Sequence, residues 1–297
     1  MSIQFSQLAS GSRGNVGFLQ SGGQSVLIDV GLSPRTLQSR LATIGADVRS
    51  IRAAVLTHTH GDHWKPRSLD WLLQHRIPLF CHADHFLSMG YAWTELERMK
   101  ALGLVHFFLP NEPFRVTDRI SATPFWVSHD ARPTFGFRFE EQALFGPLWS
   151  MAYASDLGTW DQSQLQAMAN VDLLAVEFNH DEAMERRSSR PRYLIDRVLG
   201  NEGHLSNRQA SELVQEVVAH SRDVLLKHLI LLHLSGECNT APLARSAAEV
   251  ALFRGRSSAQ ILVAQQDRAL PCVSLLRAKR PVQRGDSVSA SGIVPVE

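Results

Sequence analysis

Seven residues, Thr57-His58-Thr59-His60-Gly61-Asp62-His63, follow directly on the apolar run Ala53-Ala54-Val55-Leu56. The run reads as a buried strand, and the loop after it carries three histidines and an aspartate within six residues. A loop at a strand's carboxyl end can aim alternate side chains the same way, so His58 and His60 can share one ion. The chain then turns at Gly61, which lets Asp62 and His63 face a second ion beside the first. Imidazole and carboxylate suit borderline divalent metals, zinc above all, with manganese and iron also open. The bland alternative is a polar loop with chance histidines, and the density of ligand types argues against it.

Such a loop needs a scaffold, and the composition allows one. The chain has 297 residues, 44% hydrophobic and 20% charged, enough for a substantial core without disulfide or structural-metal staples. Its three cysteines, Cys81, Cys238 and Cys272, are odd in number and far apart. That argues against a disulfide framework and fits a reducing, cytoplasmic compartment. The first residues show no basic segment followed by an apolar one, so no signal peptide is expected. The longest apolar runs are strand-length, so no membrane span is expected. A formal net charge of +1 gives no global basic field, and any attraction for nucleic acid must be local.

Periodicity sets an α/β order along the chain. Ile3 to Leu8, Val16 to Leu19 and Ser25 to Asp29 read as strands. Pro34 to Ile44 shows a helical face, with Ser33 placed to cap it and Gly45 to end it. After the histidine loop come a helix from Pro66 to His75, a strand from Ile77 to Cys81 and helical pieces from His85 to Leu102. Strands are expected from Val105, then at Ile120–Val127, Thr134–Phe139, Ser150–Ala154, Leu173–Phe178 and His228–Leu232. Helices are expected at Asp161–Met168, Arg208–His220 and Ala241–Phe253, with Ser206 or Asn207 capping the second. Glu182 to Arg208 reads as helical and basic. The last strands are Ala259–Ala264 and Cys272–Leu276. No repeat or linker divides the chain, which reads as one domain over 1–277 and a polar, flexible tail over 278–297.

One regularity is independent of any relationship to other proteins. His58, His129, Asp156, His180 and His233 each follow an expected strand. In open α/β sheets the strand ends on one edge form the usual binding crevice. Both halves of the chain are therefore expected to build one site.

His58-Thr59-His60-Gly61-Asp62-His63 resembles the HxHxDH motif of the metallo-β-lactamase superfamily, and His129, Asp156 and His233 match its later ligands in order. Ser10-Gly11-Ser12-Arg13-Gly14-Asn15 and Leu27-Ile28-Asp29-Val30-Gly31 fit as well. Val127-Ser128-His129-Asp130-Ala131, Glu177-Phe178-Asn179-His180-Asp181, Gly203-His204-Leu205-Ser206-Asn207 and His233-Leu234-Ser235-Gly236-Glu237 resemble one branch, the YycJ/WalJ-like nucleases. The resemblance runs over roughly residues 1 to 264 and implies a four-layer αββα sandwich.

It also implies two divalent ions, Zn²⁺ or Mn²⁺ with Fe²⁺ as a further option. His58, His60 and His129 would hold the first, and Asp62, His63 and His233 the second, with Asp156 and a hydroxide between them. Two ions roughly 3.5–4 Å apart can clamp both oxygens of an in-line displacement at phosphorus. His204 would stand near the leaving group as proton donor or phosphate contact, oriented by Glu177 or Asp181. Asp29 would support a ligand histidine or the loop backbone. His180 would contact substrate or support the site. Asn15 and Asn239 would line the pocket or serve as caps.

The arginines from Arg186 to Arg208 form either a phosphate rim, with Arg208 meeting the substrate, or a solvated face bridged to Glu182 and Glu185. The implied activity is a 5′-to-3′ exonuclease on duplex DNA, with DNA ahead of RNA as partner and Asp62, Glu177 and His204 in the chemistry. The rival class is a glyoxalase II-like thioester hydrolase with nearly the same metal set. A non-catalytic scaffold is the third class, and seven ligand positions argue against it.

Overall fold

In a computed structural model, described over residues 3–90, 93–144, 146–222 and 226–275, two seven-stranded sheets follow one plan. The first pairs β1 (Ile3–Ala9), β2 (Val16–Ser21), β3 (Gln24–Ile28), β4 (Ile51–Val55), β5 (Leu79–Cys81) and β6 (Val105–Phe107) in chain order. The second pairs β7 (Phe114–Arg115), β8 (Ser121–Trp126), β9 (Phe135–Ala143), β10 (Gly146–Ala154), β11 (Leu173–Glu177), β12 (His228–Leu232) and β13 (Gln260–Val263). β14 (Val273–Ser274) returns to the free side of β1. Each sheet begins with antiparallel strands and ends with parallel ones, the switch falling at β3–β4 and at β10–β11.

Alternation along the strands explains the layering. On β4, Ala53 and Val55 face the second sheet while Ala54 faces helices; on β12, Ile230 and Leu232 face the first sheet while Leu229 and Leu231 face helices. Strands buried on both faces read as unbroken apolar runs, as residues 53–55 of β4 and 229–232 of β12 do. The layer between the sheets holds Phe5, Phe135, Phe137, Phe139, Trp149 and Tyr153, all fully buried. Each contributes on the order of 2–3 kcal/mol of apolar burial.

Helices α1 (Pro34–Thr43), α2 (Pro66–Gln74), α3 (Ala83–Ser88) and α4 (Trp93–Ala101) cover the outer face of the first sheet through Leu37, Leu41, Leu69, Leu72, Phe86 and Leu96. Then come α5 (Gln162–Met168), α6 (Glu182–Arg187), α7 (Arg192–Leu199), α8 (Asn207–His220) and α9 (Ala241–Arg254). Of these, α5, α8 and α9 cover the second sheet through Leu165, Leu213, Val217, Ala248 and Leu252. The result is the αββα sandwich. Among the described residues no helix is long and apolar enough to cross a membrane.

Most expected elements form within two residues of their expected limits, and Ser33 does cap α1 by accepting from Thr36 N. The segment from Glu182 to Arg208 differs. It is two short helices, because Pro191 has no N–H to continue the first and instead stands at the start of the second. Residues 200–206 then leave the helix and carry His204 into the site. The expected tail, 278–297, and Leu276 lie outside the described residues.

Candidate metal centre

Parallel register brings the ligand-bearing loops together. Ile28 pairs with Val55, so Asp29 emerges beside the histidine loop; Ala154 pairs with Val176 and Val176 with Leu231, so the loops holding Asp156, Glu177 and His233 emerge side by side. Three of these strand-end residues have left-handed backbone: Asp29 at φ 62°, Asp156 at 57° and His233 at 53°. For an L-residue this costs roughly 1–2 kcal/mol each, and such strain gathers at functional sites. Gly31 is required by close approach, since a Cβ there would lie 1.7 Å from the carbonyl oxygen of Asp62. Beneath the loop the buried Trp64 donates its indole N–H to Thr59 O at 2.9 Å.

Four overlapping groups of ligand atoms converge, each within 4.8 Å: His58/His60/His129, Asp62/His63/His233, His58/His63/Asp156 and Asp156/Glu177/His204/His233. Asp156 stands between the first two. Its Oδ2 is 3.1 Å from His63 Nε2, and its Oδ1 is 3.5 Å from His233 Nε2 and 3.9 Å from His129 Nε2. Asp62 Oδ2 lies 3.3 Å from His233 Nε2.

The outer shell decides which ring nitrogens face inward. His63 Nδ1 donates to Asp29 Oδ2 at 2.7 Å, His129 Nδ1 to Gly203 O at 3.1 Å, and His233 Nδ1 to Glu177 Oε1 at 3.1 Å. His58 Nδ1 donates to Thr57 Oγ1 at 3.1 Å, and that hydroxyl donates to Asp29. Each ring therefore turns Nε2 inward, the orientation metal-ligating histidines use. His60 is reversed, with Nε2 3.4 Å from Asp130 Oδ1 and Nδ1 3.2 Å from His129 Nε2. Two inward atoms, His58 Nε2 and Asp156 Oδ2, are buried without a hydrogen-bond partner. A divalent cation satisfies both, and the donor set suits it.

Charge divides the cluster in two. Burial holds His58, His60 and His129 below the ordinary imidazole value, and neighbouring rings add to the effect, so this group is neutral and ready to ligate. Burial also opposes charge on His63, but Asp156, Asp29 and Asp62 outweigh it and lift the ring well above that value. On Asp156, burial is outweighed by His233 and His63, which hold the carboxyl well below the usual range.

Glu177 is the hub of the outer shell. Oε1 accepts from His204 Nδ1 at 2.8 Å as well as from His233, and Oε2 accepts from Leu157 N at 2.8 Å and Leu205 N at 3.2 Å. With both oxygens engaged, Glu177 is outfitted to support rather than to ligate. Its carboxyl falls to about 2 because His204 and the hydrogen bonds outweigh burial. The same carboxylate outweighs burial at His204 and raises that ring. Asp181, the other expected partner of His204, instead caps α6 through Ala183 N and Met184 N.

Two clefts open on the cluster: one of about 440 Å³ bordered by His204, His233, Arg13 and Arg190, and one of about 400 Å³ beside His129. The residues expected to meet substrate are engaged within the protein. Asn15 Nδ2 donates to Asp62 Oδ2 at 3.0 Å and touches His63. His180 is fully buried, and neither ring nitrogen makes a hydrogen bond. Asn239 donates to the carbonyls of Phe178 and Asn179 and exchanges bonds with Asn207. Arg208 pairs with Glu182 and Glu212. Neighbouring arginines are similarly matched: Arg190 with Glu185 and Glu237, Arg192 with Asp196, and Arg197 with Asp130. Sequence reasoning gave no role to Trp64, to Asp130 beside His60, or to Asn179, whose amide reaches the His233 carbonyl at 2.8 Å. Asp130 and Asn179 lie inside the motif segments and Trp64 directly follows one, and that position was their only signal.

A family model described as the beta-lactamase superfamily domain matches residues 24–229. Exodeoxyribonuclease WalJ of Streptococcus pneumoniae is 30% identical over 248 residues, covering 82% of this chain and 85% of that protein. The chain belongs to the metallo-β-lactamase superfamily, in its YycJ/WalJ-like family. Exodeoxyribonuclease YycJ of Bacillus anthracis is 25% identical over 256 residues, 85% of this chain and 90% of that protein. The metallo-β-lactamase fold protein YhfI of Bacillus subtilis superposes with a TM-score of 0.63 at 16% identity, over 91% of this chain and all of that one. As a metallo-β-lactamase superfamily member this chain is a metal-dependent hydrolase, and its His/Asp groups fit divalent ions.

Proposed function

We propose that the protein is a dinuclear-metal phosphodiesterase acting on DNA, digesting duplex ends from 5′ to 3′. His58, His60 and His129 would hold one ion, Asp62, His63 and His233 the other, and Asp156 would serve both. When bound, divalent ions supply Lewis acidity toward a phosphoryl oxygen and a lowered pKa for water. Asn15 and His233 hold Asp62 in place, while Asp29 and Glu177 fix the rings of His63 and His233.

The observation that carries the reading is His204. It stands outside all three of the three-residue groups, borders the roughly 440 Å³ cleft, and has its pKa raised by Glu177 against its burial. Thiols ionise near pH 8.5 and depart without help, whereas a nucleoside oxygen needs a proton as its bond to phosphorus breaks. His204 Nε2, with Nδ1 tied to Glu177, would give that proton and recover one from water. The named activities of the WalJ and YycJ relatives support DNA as the polymer.

The test is digestion of 5′- and 3′-labelled DNA duplexes with added Mn²⁺ or Zn²⁺, with and without chelator, beside a small thioester. Shortening from the 5′ end that stops with chelator is the expected result. Turnover of the thioester alone, or digestion that survives chelation, would refute the proposal.

A further inference from the structure

We propose that the cleft beside His129 seats the base of the nucleotide adjoining the bond that is cut, stacked on the indole of Trp126. The inference rests on the phosphodiesterase reading above. Trp126 ends β8, three residues before His129, and stands in the wall of the roughly 400 Å³ cleft that His129 also borders. Trp126 is 45% exposed. A lone exposed aromatic means little, but this one is held rigidly. Its ring packs on Phe135 with centroids 4.7 Å apart and 35° between planes, its partner across the β8–β9 ladder. Gln164 Nε2 donates to its carbonyl at 2.9 Å, and Val127 N bonds Thr134 O at 3.0 Å directly after it. A flat face fixed next to the ion groups is pre-organised for another flat face.

The remaining walls say what kind of ligand the cleft takes. Ser128 Oγ donates to Asn201 O at 2.9 Å and Thr134 Oγ1 to Ala131 O at 2.5 Å, so neither hydroxyl has its proton left to donate to a base edge. Arg132 borders the cleft and pairs with the exposed Glu202. An exposed pair of that kind is weak, which leaves the guanidinium able to turn to a phosphate. A stacking face and an exchangeable cation, beside the exposed Asp84 carboxylate and with no fixed side-chain donor pattern, fit a nucleotide of any base. Base–aromatic stacking is sequence-tolerant for the same reason.

The experiment compares the metal-loaded wild type with Trp126→Ala and Trp126→Phe on two DNA duplexes. One is intact; in the other the three terminal nucleotides at every strand end are abasic. On the intact duplex, Trp126→Ala should raise KM about 5- to 100-fold, the range that loss of one base–aromatic stack produces, and Trp126→Phe should recover most of it. On the abasic duplex all three proteins should agree within about twofold, because no base is there to stack. Equal losses on both duplexes, or no loss on either, overturn the inference while leaving the nuclease reading intact. A wild type that cuts neither duplex overturns that reading and the inference with it. Should Trp126→Ala melt early, Trp126→Leu replaces it, since leucine fills the strand end without a stacking face.

Discussion

Replacing Glu177 with glutamine removes one charge and almost no volume, yet it should uncouple the metal centre from its support. The side chain is fully buried and receives four N–H groups: Leu157 and Leu205 on one oxygen, His204 and His233 on the other. A glutamine amide can accept two of these and must point its own NH₂ at the other two. Backbone N–H groups cannot change, and each buried donor left unsatisfied costs about 1–3 kcal/mol. Imidazoles can change, by moving the proton from Nδ1 to Nε2. The amide oxygen should therefore face Leu157 and Leu205, and the two rings should switch tautomer. For His233 this places a proton on the inward Nε2, the atom 3.3 Å from Asp62 Oδ2, where a lone pair is needed. Loss of such an outer partner weakens metal affinity about 10- to 100-fold, roughly 1.4–2.8 kcal/mol. His204 loses the carboxylate that raises its pKa and fixes its ring, so kcat should fall further, by about 10²–10⁴. Competition of Glu177→Gln and wild type against a chromogenic chelator measures the first effect, and melting in chelator confirms that the fold survives. Metal affinity within twofold of wild type, with unchanged kcat, would refute the reasoning.

Gly31→Ala should be among the most damaging small substitutions, because its methyl would overlap the Asp62 carbonyl; metal content after purification and the melting temperature should both drop sharply. Asp62→Ala should remove activity while leaving melting in chelator within a few degrees of wild type, and unchanged activity would show that the chemistry lies elsewhere. His85 gives a pH test away from the centre: burial pushes it down to about 4 from 6.5, with Nε2 donating to Pro133 O. The folded state then binds fewer protons than the unfolded one between those values. Its contribution, about 3 kcal/mol, is fully present above pH 6.5 and lost as pH falls to about 4. Denaturant titrations from pH 7 to 4 should show a smaller decline for His85→Gln than for wild type. Arg208→Ala should change stability by less than about 1 kcal/mol, since its two ion pairs are exposed.

The convergence of the candidate ligands was legible because its signals are local. His58, His60, Asp62 and His63 sit in one loop, and His129, Asp156 and His233 each follow a strand whose apolar run is plain in the sequence. The layers were legible for a similar reason, since period-two burial on both faces leaves unbroken runs such as those of β4 and β12. The break at Pro191 was visible as a residue, but its effect was obscured by good helix formers on either side. β7 escaped notice because two residues carry no periodicity.

Sequence alone nominated the candidate ligand groups and placed them after strands, and the fold brings those groups together. Tertiary structure decided what those groups can do. Whether a carboxylate ligates or supports depends on what its oxygens already hold, and Asp29, Asp156 and Glu177 differ only in that. Whether an arginine meets substrate depends on the acids nearby, and here Glu182, Glu185, Asp130 and Asp196 occupy most of them. Chemical type is fixed by the residue, whereas protonation, tautomer and availability depend on neighbours distant in the chain.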